Sequence, residues 1–170
     1  MTRVVWLGAF MLGLVVCSSV MQTFEALLHQ ELELAFFIPL LIGHAGNSGG
    51  QTITTIVREL GCGHLQPHDI WRVARSETAA GVLQSVLLSM VLIPYMLFTL
   101  IPIDVIISVC ITMIILGSFA NLCGAVFPFI ATRLHLDPAV VVAPLMTTIV
   151  DASGILVYLS IAMAVLRRPL

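Results

Sequence analysis

The sequence predicts an all-α integral membrane protein with five transmembrane helices, and three observations carry that prediction. Of the 170 residues, 59% are hydrophobic and only 9% are charged, against about 25% charged in a soluble domain. The mean hydropathy is +1.11, so the chain lacks the polar residues to cover a water-facing surface and its solvent must largely be lipid. The apolar residues also fall into five stretches, each near the roughly 20 residues that a membrane-crossing helix needs. The formal net charge of −2, with no basic tail and no acidic run, gives no sign of a nucleic-acid partner.

The first stretch, 4–21, is apolar like a signal-peptide core. No small-residue cleavage site followed by a soluble domain comes after it, so it is expected to remain in the membrane. The second, 33–57, opens with Ala35-Phe36-Phe37-Ile38-Pro39-Leu40-Leu41-Ile42 and then turns rich in Gly, Asn, Ser, Gln and Thr. The third covers 78–101. A tight turn at Pro102-Ile103-Asp104 leads into the fourth, 105–132, and the fifth covers 138–166. The longest polar connection is 61–77. Within it Pro67-His68-Asp69 has the form of a helix start. Ile70, Trp71, Val73 and Ala74 are expected to lie on the membrane surface, with Arg72 and Arg75 at the lipid headgroups. No repeat, low-complexity tract or separate soluble domain interrupts the chain, so 1–170 reads as one membrane domain.

An odd number of spans puts the termini on opposite sides. With the N-terminus inside, the inner segments hold Arg3, Arg58, Arg72, Arg75 and Arg133, and the outer ones only Arg167 and Arg168. The excess of inner arginine favours an N-in, C-out chain. The outer connection, 21–34, has no arginine but carries Glu25, Glu31 and Glu33. The four cysteines form no CxxC pair and no disulfide framework, so they do not reveal a redox compartment.

Asp151 is the most informative residue. It stands near the middle of the fifth span, where a carboxylate costs about 2.5–3.5 kcal/mol on insertion scales, so it needs a partner or water. A cation site and a buried structural acid are the two readings, and intramembrane acids favour the first. Pro144, Thr147, Asp151, Gly154 and Tyr158 follow at helical spacing. They offer hydroxyls, a carboxylate and a point of close approach, and hard cations take oxygen ligands.

The second polar group is Gly43-His44-Ala45-Gly46-Asn47-Ser48-Gly49-Gly50-Gln51-Thr52. Lipid cannot hydrogen-bond these side chains, so they should face other helices or a water-filled path. Asn47 and Gln51 are four apart, and Gly46 with Gly50 forms a GxxxG pair that permits tight helix contact. Packing and pore are both open for this segment alone. Two polar stripes at mid-depth, one with an acid, favour a pore. One Asp per chain with amide and carbonyl oxygens nearby suits a hydrated Mg²⁺ better than a dry Ca²⁺ cage.

Asn121, with Gly124 and Pro128, should find a partner at a helix contact. Asp137 before Pro138 reads as a helix cap and also as an acid at the inner mouth of the fifth span. Cys62, His64 and His68 match no strong zinc spacing. Two rival functions are weighed. Gly46-Asn47-Ser48-Gly49 reads GxSG, like an intramembrane serine protease, but a histidine base from a later span is missing, and His44 lies on the same helix. An accessory or structural membrane subunit is the better rival, although it would not need Asp151.

At these residues the chain resembles the MgtE-type magnesium transporters. Ala45-Gly46-Asn47-Ser48-Gly49-Gly50-Gln51 with the run to Arg58, Ala120-Asn121-Leu122-Cys123-Gly124-Ala125, Leu136-Asp137-Pro138-Ala139, and Pro144 to Asp151 with Gly154-Ile155-Leu156-Val157-Tyr158 are similar to four ordered family motifs. The resemblance implies a non-enzymatic, multi-pass protein of the cell's inner (plasma) membrane that works as a homodimer among membrane lipid and moves divalent cations, Mg²⁺ foremost. It implies a pore on the dimer axis lined by the second and fifth helices. Asp151 would bind the hydrated ion, with metal-site roles for Asn47, Thr147 and Asp137 and pore-lining roles for Gly46, Gln51, Pro144 and Gly154. The chain departs from the family pattern at His44, at Ser48-Gly49-Gly50 and at Ala143. The cytoplasmic N-domain and CBS pair of bacterial members have no counterpart in 1–170, so the expectation is a transmembrane-only homologue or one half of the two-repeat eukaryotic solute carriers.

Overall fold

Lipid offers no partner to a backbone N–H or C=O, so an apolar chain satisfies these groups internally, and helices do so within one segment. A computed structural model describes residues 2–166, which form six helices and no strand. They are α1 (Thr2–Thr23), α2 (Glu25–Gln30), α3 (Glu33–Gly61), α4 (Ile70–Phe98), α5 (Ile103–Arg133) and α6 (Pro138–Leu166). Among the described residues, three helices are both long and apolar enough to cross a membrane: α4 with its preceding turn, α5 and α6. At 29 residues, α3 is equally long but carries the polar half noted above.

α5 is the central element. It packs against α3, α4 and α6, while α6 also touches α3 and α1. Its register with each neighbour follows from its small residues. A Cβ on Gly117 would collide with Ser85 Oγ of α4, and one on Gly81 would lie 2.7 Å from the Gly117 carbonyl oxygen. On the other side a Cβ on Gly124 would lie 2.6 Å from the Gly49 carbonyl oxygen of α3. Glu77 meets Asn121 and Ser89 meets Met113, so α4 runs antiparallel to α5, while His44 lies at Gly117 and Ile56 at Phe129, so α3 runs parallel to it. With lipid as apolar as leucine, such close backbone approach and polar bonds, rather than hydrophobic burial, hold membrane helices together. The large apolar side chains of α4, including Leu83, Met90, Val91 and Phe98, face outward.

Three helices end in the same way. After α3, α4 and α5 the residues Gly63, Leu100 and His135 take positive φ (74°, 57° and 56°). The next N–H then reaches back five residues: His64 to Glu59, Ile101 to Met96 and Leu136 to Ala131. This arrangement satisfies the carbonyls that a helix end leaves free.

The third span differs from its sequence reading. Pro67–Asp69 is a single 3₁₀ turn, and α4 begins at Ile70 and continues unbroken to Phe98. Ile70 to Ala74 are thus the first turns of this helix, with Val73 and Ala74 buried in the bundle rather than lying on a membrane surface. Val73 packs with Ile56 of α3 and with Ala125 and Phe129 of α5, and that contact decides the matter. The short α2 lies within the connection 21–34. Arg58, Arg72, Arg75 and Arg133 gather at one end of the bundle, whereas Arg167 and Arg168, also used for orientation, lie outside the described residues.

At that same end two half-buried carboxylates are held below their usual pKa range. Glu59 accepts from His64 Nδ1 at 2.9 Å and, secondarily, from Arg58. Asp69 accepts from Arg72 at 2.8 Å and from the Gln66 backbone N–H. His64 and His68 thus pair with acids, and among the described residues no group of three His, Cys, Asp or Glu side chains could hold a metal.

Candidate functional site

α6 begins on a cap. The Asp137 carboxylate accepts from the Ala139 N–H at 3.0 Å, and Pro138 takes the first helical position, where no N–H is required. One turn inside, the Pro144 carbonyl accepts both the Thr147 hydroxyl at 3.0 Å and the Thr148 hydroxyl at 2.9 Å. Each hydroxyl spends its only proton on the helix and keeps lone pairs free, so Thr147 can serve an approaching cation as an acceptor. Asp151 follows one turn later, half-buried. No described residue donates a hydrogen bond to its carboxylate or forms an ion pair with it. Gly154 faces Leu116 of α5, and the Tyr158 hydroxyl donates to the Leu34 carbonyl at 3.1 Å from a side chain only 1% exposed. Thus Gly154 and Tyr158 pack within the chain.

α3 shows two distinct stripes. Asn47 and Gln51 are exposed and line an open cleft of about 470 Å³ together with His44, Ser48 and Gln84. Asp151 is not among the residues lining it. Nothing lies within 4 Å of a Cβ placed on Gly46 or Gly50. Within one chain the close contact falls instead at Gly49, whose added Cβ would lie 2.9 Å from the Ala120 carbonyl oxygen.

The second stripe is bonded at every turn. His44 Nε2 lies 3.0 Å from Ser85 Oγ, Ser48 Oγ donates to Asn121 Oδ1 at 2.7 Å, and Thr52 Oγ1 donates to Glu77 Oε2 at 3.1 Å. Asn121, 1% exposed, also donates from Nδ2 to the Glu77 carbonyl oxygen at 3.2 Å. Ser48 Oγ lies 3.0 Å from Gln84 Oε1 as well. A hydroxyl has one proton, so the shorter bond to Asn121 takes it, and a flipped Gln84 amide would donate back. This seam supplies the partner that Asn121 required. It also leaves Ser48 without a histidine, since His44 pairs with Ser85. Sequence reading missed Glu77, Gln84 and Ser85. Their signal was present: Glu77, Gly81, Gln84 and Ser85 recur at spacings of three and four along one side of α4.

Comparison with known proteins gives a consistent result. A family described as "MgtE: Divalent cation transporter" matches residues 38–161. The magnesium transporter MgtE of Thermus thermophilus is 38% identical over 171 aligned residues, covering 98% of this chain and 37% of that protein. The Bacillus subtilis magnesium transporter MgtE is 31% identical, covering 95% of the chain and 36% of its own length. That of Enterococcus faecalis is 28% identical over 97% and 36%. The chain therefore spans little more than a third of the curated relatives it matches.

Proposed function

Since the chain belongs to the MgtE family of divalent cation transporters, we propose that it conducts divalent cations, Mg²⁺ first among them, across the cell's inner membrane as a five-span, N-in/C-out homodimer. One observation carries the reading. α3 and α6 each present polar groups that no described residue compensates: Asn47 and Gln51 on α3, and Asp151 on α6. Such groups are not left to hydrocarbon. A second copy, facing the first across an axis, would enclose them with water.

In that assembly the two Asp151 carboxylates supply charge for one hydrated ion. Mg²⁺ dehydrates reluctantly and binds through one or two carboxylates and retained waters, so waters bridge the ion to the Asn47 amide, the Thr147 oxygen and neighbouring backbone carbonyls. Gly46, Gln51 and Pro144 line the path, and Asp137 at the start of α6 draws cations to the inner mouth. The membrane potential drives entry, at about 2.3 kcal/mol per elementary charge per 100 mV.

The test is ion flux into proteoliposomes that contain only this chain. Asp151→Ala is expected to abolish Mg²⁺ uptake while the dimer persists in size-exclusion chromatography with light scattering. Undiminished uptake would refute the pore role. An accessory subunit would show no uptake without a second protein, and a serine protease would lose cleavage, not flux, on Ser48→Ala.

A further inference from the structure

We propose that the bonded stripe of α3 is a rotational lock, with Glu77 its positioning residue: it sets the angle at which α3 presents Asn47 and Gln51. The inference rests on the conduction reading for what those two residues do, but not for the lock itself.

The three rungs fall at residues 44, 48 and 52, one helical turn apart, and so lie along a single line on α3. They reach α4 at Ser85 and Glu77 and α5 at Asn121, so both neighbours hold the helix. Asn47 and Gln51 each precede a rung by one residue, about 100° around the axis. A rotation of that size would carry them out of their cleft and break all three rungs together.

The space for each rung is supplied by a glycine. A Cβ on Gly117 would collide with Ser85 Oγ and lie 3.0 Å from His44 Nε2. One on Gly81 would lie 2.9 Å from Asn121 Nδ2, and one on Gly124 would lie 3.1 Å from Thr52 Cβ. Polar side chains that merely filled gaps would not need a cleared site at every turn. The ladder ends on the one carboxylate of α4. Glu77 borders an open cleft that it shares with Glu59, His64 and Arg72, so its charge has access to polar surroundings while one oxygen holds Thr52. An interhelical hydrogen bond in a membrane shifts an equilibrium by about threefold, so three acting together shift it by roughly twenty- to thirtyfold.

Spin-label scanning of α3 tests the lock in the full chain. Cys17, Cys62, Cys110 and Cys123 are replaced by alanine, and single labels are placed at positions 43, 46, 47, 50, 51 and 54. Accessibility to oxygen and to a water-soluble nickel chelate is measured in proteoliposomes. The angular phase of the pattern reports the setting of α3 whether its outer face meets water or lipid. The parent should peak at 47 and 51. Thr52→Val, which keeps the shape and removes one hydroxyl, should lower the ratio of locked to turned helix about threefold, read as a partial move of the phase toward neighbouring positions. Glu77→Leu, which removes the same rung, should turn it as far, and Glu77→Gln, which retains an oxygen for Thr52, should restore the parent phase. An unchanged phase in both Thr52→Val and Glu77→Leu would overturn the lock. If Glu77→Leu does not assemble, Thr52→Val decides alone. Peaks at 47 and 51 for oxygen rather than the chelate would refute the conduction reading, and the phase shift would still decide the lock.

Discussion

Two sets of polar groups lie inside this membrane domain, and the chain treats them in opposite ways. In the α3–α4–α5 seam, Asn121, Ser48, Thr52 and Glu77 are bonded to one another across helices, and glycines clear the room for them. On the outer side of α3 and on α6, Asn47, Gln51 and Asp151 have no such partners among the described residues. In water the distinction would mean little, because solvent completes any polar group. In hydrocarbon an unmet group costs free energy. A bonded set therefore explains how the helices are held, and an unmet set is what the proposed second copy, water and cation would enclose.

The largest expected effect is the loss of Mg²⁺ uptake on Asp151→Ala with the dimer intact, because it removes the only acid of the unmet set. Asparagine offers the sharpest break of the comparison, since the same residue occurs in both sets. Asn121→Leu removes the bonds to the Ser48 hydroxyl and the Glu77 carbonyl and should cost about 1–3 kcal/mol of stability for the two, read as a lower thermal midpoint in detergent. Asn47→Leu should leave that midpoint unchanged and reduce uptake. A matching loss of stability in both variants would erase the distinction.

Glycine gives a second contrast. Gly117→Ala forces a methyl against Ser85 and should destabilise by about 1–3 kcal/mol. Gly46→Ala meets open space and should stabilise α3 by up to about 1 kcal/mol through helix propensity. Thermal midpoints of the two variants check the sign of each.

The smallest effect concerns the polar end of the bundle. Glu59 and Asp69 are held below their usual pKa range by His64 and Arg72. A depressed folded pKa contributes stability above the unfolded value, and that contribution is lost as pH falls through the folded one. Below about pH 4, near the unfolded values, amide hydrogen exchange in 59–72 should quicken while the core of α5 stays protected. Equal acceleration in α5 would show that these pairs act on the whole bundle.

The helix ends show how far local rules reach. Gly63 was a legible terminator, being the usual residue at positive φ. Leu100 and His135 take the same conformation without that signal, because Pro102 and Pro138 close behind them forbid the helices to continue. The start of α4 was misread for a similar reason. Trp71, Arg72 and Arg75 resemble a surface helix locally, and only Val73 meeting Ile56 and Phe129 draws the segment into the bundle.

The sequence by itself determined that the chain lives in lipid, that its helices run close to the observed bounds of α5 and α6, that Asp137 caps α6, and that an acid stands mid-helix at Asp151. These are local properties: hydropathy, a terminus signal and a charge where charge is expensive. Only the tertiary structure decided which face of α3 turns inward. Residues 44, 48 and 52 and residues 47 and 51 are both polar stripes, about 100° apart, and spacing along one helix cannot choose between them. The choice is made by neighbours distant in the chain, Glu77, Ser85 and Asn121, and by glycines at 81, 117 and 124 that let three backbones come close enough for one stripe to be bonded and the other to be left open.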